Sequence, residues 1–183
     1  MYYTGRAIEQ YHQKAYDLYK KASEHWEDED DGLDLDPFFR IGRCYAEYGI
    51  GSFNEAVKTF RKSFEHGNTE ALTFYILMCF FRDREAVSER DGEWLFEKAN
   101  TNPSDPHCLF VLGACYEMGF GTEQDYKKSF KAYEKSALLG HAFGQHHLAY
   151  MYFHGWGVEK NPEMGFQWEL RAAEQIPMAK FNH

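Results

Sequence analysis

No stretch of this 183-residue chain approaches the roughly 18 consecutive apolar residues of a membrane-spanning helix, so no contact with a membrane is expected. Basic residues are scarce, with 20 Lys and Arg against 29 Asp and Glu, for a net charge of −9 with histidine neutral. A phosphate backbone demands clustered cations, so the expected partner is no nucleic acid but a protein with a basic surface. Residues 1–6 open a polar segment without an apolar h-region, so a secretory signal is not expected and the cytoplasm is the expected compartment. Catalytic signatures are missing as well. Nothing matches H-E-x-x-H, a phosphate loop or G-x-S-x-G. Gly-x-Gly occurs three times but follows a helical pattern, never a strand, which removes the dinucleotide reading. No cofactor and no metal site is expected: His146, His147 and His154 lie near Met151, but no acid or cysteine completes a set at ligand spacing.

What the chain does contain is a sentence written twice. Leu112-Gly113-Ala114-Cys115-Tyr116-Glu117-Met118-Gly119-Phe120-Gly121 returns 36 residues later as Leu148-Ala149-Tyr150-Met151-Tyr152-Phe153-His154-Gly155-Trp156-Gly157. A period in the range of about 20–50 residues marks a solenoid. Leu112, Cys115, Tyr116 and Gly119 fall on one helical face, and the glycines then stop that helix. Asp125 and Asn161 stand where caps for a second helix belong, and Pro162 suits its first turn. Each unit is thus an antiparallel helix pair, its second helix mixing small residues such as Ser129 and Ser136 with aromatics such as Phe130 and Tyr133.

The pattern L-G-x-x-Y-x-x-G-x-G, then D or N, then a small residue before F-x-x-Y and a small pair, resembles the Sel-1-like repeat, a branch of the tetratricopeptide-type α-solenoids. The resemblance is carried by residues 105–176. It implies an all-α, right-handed superhelix used chiefly to bind other proteins.

The register extends outward from those two copies. A small residue recurs at Ala15, Ala56, Gly92, Ser129 and Gly165, with gaps of 41, 36, 37 and 36. One solenoid over residues 1–183 is expected: an N-terminal helix at 7–26, repeats at 37–66, 68–100, 105–139 and 142–175, and a tail at 176–183. The second repeat is the least faithful. The tail reads as the start of an unfinished unit that folds back over the solenoid end; an apolar end left exposed would instead support a weak homodimer or a docking partner.

The irregular gap holds an acidic run in which Glu27, Asp28, Glu29, Asp30, Asp31, Asp34 and Asp36 crowd into ten residues. It reads as a solvated loop or, more sharply, as a docking element for a basic partner. Calcium fits poorly: with Gly32 as the sixth loop residue, Phe38 takes the twelfth place, where a bidentate Glu belongs. Cys44, Cys79 and Cys115 recur at one structural position, too far apart in stacked helices for disulfides. They and Cys108 read as buried thiols.

In tetratricopeptide-type solenoids the first helices line the concave face. Carried onto this register, the resemblance places Phe39, Arg43, Thr73, His107, Phe110, Glu117, Phe143, His146 and Tyr150 there, with Leu77 and Ala114 beside them, as candidate partner-binding residues. The superhelical turn is the alternative fate of each, since it would bury some of them. Three functions compete: a non-catalytic adaptor or scaffold; an immunity-type protein that neutralises a cognate toxin; and an enzyme whose site is built between repeats, for which a buried acid–base pair in a cleft would be the sign.

Overall fold

The computed structural model describes residues 2–24, 26, 36–81 and 88–175, which hold nine helices and no strand. They are α1 (Tyr2–Glu24), α2 (Pro37–Tyr48), α3 (Phe53–Glu65), α4 (Glu70–Phe81), α5 (Glu89–Ala99), α6 (Pro106–Met118), α7 (Tyr126–Leu138), α8 (Ala142–His154) and α9 (Pro162–Gln175). The chain divides into two compact units, Met1–Ala86 and Val87–His183. Glu27, Asp28, Glu29, Asp30, Asp31 and Asp34 of the acidic run, and the tail at 176–183, lie outside the described residues.

In the first unit α1 packs on α2, α2 on α3 and α3 on α4, and α2 also reaches α4. Tyr16 of α1 is buried with Ile41 and Cys44 of α2, and Tyr19 and Ile50 lie against them. The Phe60 ring of α3 lies fully buried against Gly42 of α2 and stacks with Tyr75 of α4. Asp36 caps α2, accepting hydrogen bonds from the backbone N–H groups of Phe38 at 3.0 Å and Phe39 at 3.2 Å. Its other oxygen accepts from the Ser63 hydroxyl and from Asn68 Nδ2. This acid, the last of the run, is therefore spent on holding α2 to the end of α3, and its assignment to a docking loop is corrected.

The second unit repeats the scheme with higher fidelity. Asp105 caps α6 by accepting from His107 N and Cys108 N, both at 2.9 Å, and Pro106 fills the first turn, where its missing N–H costs nothing. Asp125 caps α7 and Asn161 accepts from Met164 N at the start of α9, as the spacing predicts. The small residues of α7 turn out to donate: Ser129 Oγ gives its proton to the Gly113 carbonyl at 2.8 Å, and Ser136 Oγ to the Pro106 carbonyl at 2.7 Å. Both hydroxyls are buried, so those bonds remove a desolvation penalty while letting α6 and α7 close up. Gly119 ends α6 at φ 70°, and Gly121 turns the chain so tightly onto α5 that a Cβ there would stand 2.2 Å from the Gly92 carbonyl oxygen. Gly157 meets the Tyr126 carbonyl in the same way. The Gly-x-Gly element thus stops one helix and seats the turn on the helix before it. Cys44, Cys79, Cys108 and Cys115 are all buried free thiols.

Candidate functional site

The candidate surface lies in the second unit, on α8 with contributions from α6 and α9. Its foundation is a helix cap of unusual chemistry. His141 stands 36 residues after Asp105 and does the same work for α8, its Nδ1 accepting from the Gly144 N–H at 3.1 Å. A nitrogen that accepts carries no proton, so the ring proton of neutral His141 sits on Nε2, 3.1 Å from His107 Nδ1. Burial and the neighbouring His107 push the His141 pKa down to about 3, although Asp105 opposes the shift.

Above this cap, the Phe110 ring is wholly buried among Tyr133, His141, Phe143 and His147. Glu117, the penultimate residue of α6, accepts from the Tyr133 hydroxyl at 2.7 Å and pairs with His147 Nδ1 at 3.5 Å. Burial works to raise the Glu117 pKa, but the bond to His147, its charge and the tyrosine hydroxyl outweigh it and hold the carboxyl low. This is a half-buried carboxylate–histidine pair whose carboxyl is held low, whereas a general base acting near neutrality is raised towards 7. His146 meets both Glu169 carboxylate oxygens, at 2.9 and 3.0 Å, out in solvent. Tyr150, 39% exposed, rests against His154 at 4.0 Å and edge-on to Trp156 at 5.3 Å.

The projected set therefore separates. His107, Glu117, Phe143, His146 and Tyr150 come together around α8, Phe143 and His107 being half-buried. Phe39, Thr73 and Phe110 lie inside, and their placement on the surface is corrected. The cause is packing of one first helix on the next: α4 covers Phe39 with the Phe74 ring at 5.4 Å, and α8 covers Phe110 with Phe143 and His147. Thr73 is on α4, which buries residues nearly all round. Ala114 is buried too, and Leu77 half-buried. Arg43 is half-buried, tied to Glu47 and lying over the Phe39 and Phe74 rings. Sequence reasoning missed Glu169 at the surface and His141, His147 and Tyr133 packed beneath it. The signal for His141 was present, since the 36-residue register puts it on Asp105.

The histidines near Met151 point apart: His146 to Glu169, His147 to Glu117, and His154 Nδ1 to the Tyr150 carbonyl, while Met151 is buried. Among the described residues no three of His, Cys, Asp and Glu gather as a metal group, and no helix is long and apolar enough to cross a membrane.

Helix pairs joined by Gly-x-Gly turns, each seated on the previous helix, define an α-solenoid repeat protein. The Sel1 repeat profile matches residues 1–25, 106–141 and 142–176, together just over half of the chain, and the chain belongs to the Sel1 repeat family. Sel1 repeats are in general protein-interaction modules. The chain is 32% identical over 93 residues, 51% of its length, to DAP3-binding cell death enhancer 1 of Rattus norvegicus, and spans only 18% of that protein. Among solved structures it is similar to c5321, a protective antigen of uropathogenic Escherichia coli strains with an SLR fold, at a TM-score of 0.59 and 19% identity. That similarity covers 91% of this chain and 38% of the antigen, and shows the fold. A Sel1 repeat protein from Oxalobacter formigenes aligns at a TM-score of 0.49 and 24% identity, over 72% of this chain and 95% of that one.

Proposed function

We propose that this chain is a non-catalytic adaptor that holds a protein partner on the α8 face, with Tyr150, His146 and Phe143 as the contact residues and Glu169 and Glu117 as the acidic ones. The observation that carries the reading is the state of Tyr150. It is a large ring left part-exposed on a rigid helix and braced by His154 and Trp156, so it loses little freedom on binding. A half-exposed carboxylate stands one helix away, and the chain carries a net charge of −9, which together favour a basic partner. The rat relative is named for binding DAP3, which is in keeping with a protein ligand for this chain. The acids at 27–34, outside the described residues, are the alternative docking element for a basic partner.

The test compares partners captured by the wild-type chain, by Tyr150→Ala with His146→Ala, and by a chain with Asp28, Glu29, Asp30 and Asp31 neutralised. The proposal expects a stoichiometric basic protein that the α8 variant loses by about tenfold or more in affinity, the scale of a hot-spot truncation above 1.4 kcal/mol. Undiminished capture by the α8 variant, with loss in the neutralised one, would move the site to the acidic run.

A further inference from the structure

Two helices present an outer face that nothing in the described residues covers, and the two faces carry opposite charge. On α1, Tyr11, Lys14, Leu18 and Lys21 fall at i, i+3, i+7 and i+10, a single stripe on the side away from buried Tyr16. Tyr11 is 72% and Leu18 65% exposed. Two exposed acids flank the stripe on one side, Asp17, which accepts from Gln13 Nε2, and Glu24 in the last turn. On α9, Phe166 is 61% and Leu170 51% exposed, with the exposed carboxylates Glu163 and Glu174 along the same stripe. The sole cation of α9, Arg171, lies over the Trp168 ring and away from it. Lys14, Lys21, Glu163 and Glu174 form no ion pair among the described residues.

The geometry points to a head-to-tail contact between copies of this chain, the α9 face of one copy docking on the α1 face of a second. Charge selects that pairing over the symmetric ones. Two α1 faces would set lysines against lysines and two α9 faces glutamates against glutamates, each a repulsion in a partly desolvated contact. Each face instead offers two apolar side chains as a centre and two charges as a rim, the anatomy of an interface. The faces differ, so the contact is heterologous and propagates to further copies unless it closes into a ring. One helix laid on another covers less than the roughly 1,200 Å² of a standard complex, so the association is weak and depends on concentration. The rim charges make it sensitive to salt over a Debye length of about 10 Å at 0.1 M. This contact does not use the α8 face, and its failure would leave the adaptor reading untouched.

The experiment is sedimentation velocity of the full chain from about 10 μM to about 1 mM, in low and high salt, with two charge-reversed variants. The first is Lys14→Glu with Lys21→Glu; the second is Glu163→Lys with Glu174→Lys. All four positions are exposed, and circular dichroism checks that both variants keep the helical signal of the wild type. The wild type is expected to sediment faster with concentration, and salt to weaken this. Each variant alone is expected to associate at least about tenfold more weakly. Their equimolar mixture is expected to recover association, because the α9 of the first then meets the native α1 of the second, and its acidic α1 meets the basic α9. A wild type that stays monomeric throughout overturns the proposal. So does association that both variants retain, or a mixture of folded variants that recovers nothing.

Discussion

Tyr133 lies flat against Gly113, so close that a Cβ on residue 113 would stand 2.5 Å from the ring. Phe60 and Gly42 repeat the relationship in the first unit at 2.6 Å. On α8 the corresponding residue is Ala149, and the position 36 beyond Tyr133 is Glu169, which leans out to His146 and puts no ring there. The glycine of the repeat is thus the footprint of a neighbouring ring. Gly113→Ala is expected to destabilise the second unit by about 1–3 kcal/mol through overpacking, more than the gain of about 1 kcal/mol in helix propensity. Ala149→Gly, at a fully buried position with no ring against it, should cost that propensity and the burial of one methyl, about 2 kcal/mol in all, with no overpacking. Urea unfolding of both variants checks the contrast, and a stabilised Gly113→Ala would refute it.

The thiols should be silent in the folded chain. Burial pushes Cys108 and Cys115 up to about 12, with Asp105 adding to the shift at Cys108. At pH 8 almost no thiolate exists at either site. A chromogenic disulfide reagent should label them only as fast as the chain opens, and at once in denaturant. Rapid native labelling at either, located by mass spectrometry, would contradict this.

Much of this architecture is legible in the sequence because the repeat leaves a mark wherever backbones nearly touch. Gly113, Gly121, Ser129 and Ser136 are small for contact reasons, and their spacing reports the helix pair. What is not legible is which face a helix shows after its neighbours arrive. Phe110 and His146 sit at matching places on successive first helices, 36 residues apart, yet α8 buries Phe110 while His146 stays exposed. No local pattern records the difference, because it depends on the next helix in the stack. The faint second repeat misleads in a smaller way. The small-residue series sets Gly92 opposite Ser129, whereas its tight partner Gly121 corresponds to Gly157, which meets Tyr126, one turn earlier. A residue of the wrong type can also hide its role: His141 occupies an aspartate's cap position.

That substitution makes the fold sensitive to acid. Folded His141 binds a proton only below about pH 3, whereas the unfolded residue takes one near 6.5. Between these values the unfolded chain holds the extra proton, so stability is complete above about 6.5 and falls as pH drops. The slope is about 1.4 kcal/mol per pH unit, a loss of about 2 kcal/mol at pH 5. His141→Asn keeps a cap acceptor without the titration. Its stability should fall less between pH 7 and pH 5 than that of the wild type, by about 2 kcal/mol. Parallel pH profiles from thermal unfolding would sink the assignment.

Glu117 contributes in the same direction from a lower range. Its folded carboxyl is held below the ordinary 4.5, because the His147 and Tyr133 contacts prevail over burial. Its stabilisation is therefore present above that value and lost as pH falls through the depressed one. The two partners of the carboxylate are not equivalent under mutation. Tyr133→Phe removes a donor and leaves Glu117 with His147, at a cost of about 1 kcal/mol. Glu117→Leu leaves the fully buried Tyr133 hydroxyl without this acceptor and should cost more, about 1–3 kcal/mol. If the carboxylate serves packing rather than proton transfer, Glu117→Gln should recover part of that loss, since its amide oxygen still accepts from Tyr133. A Gln variant as unstable as the Leu variant would instead place the whole effect in the contact with His147.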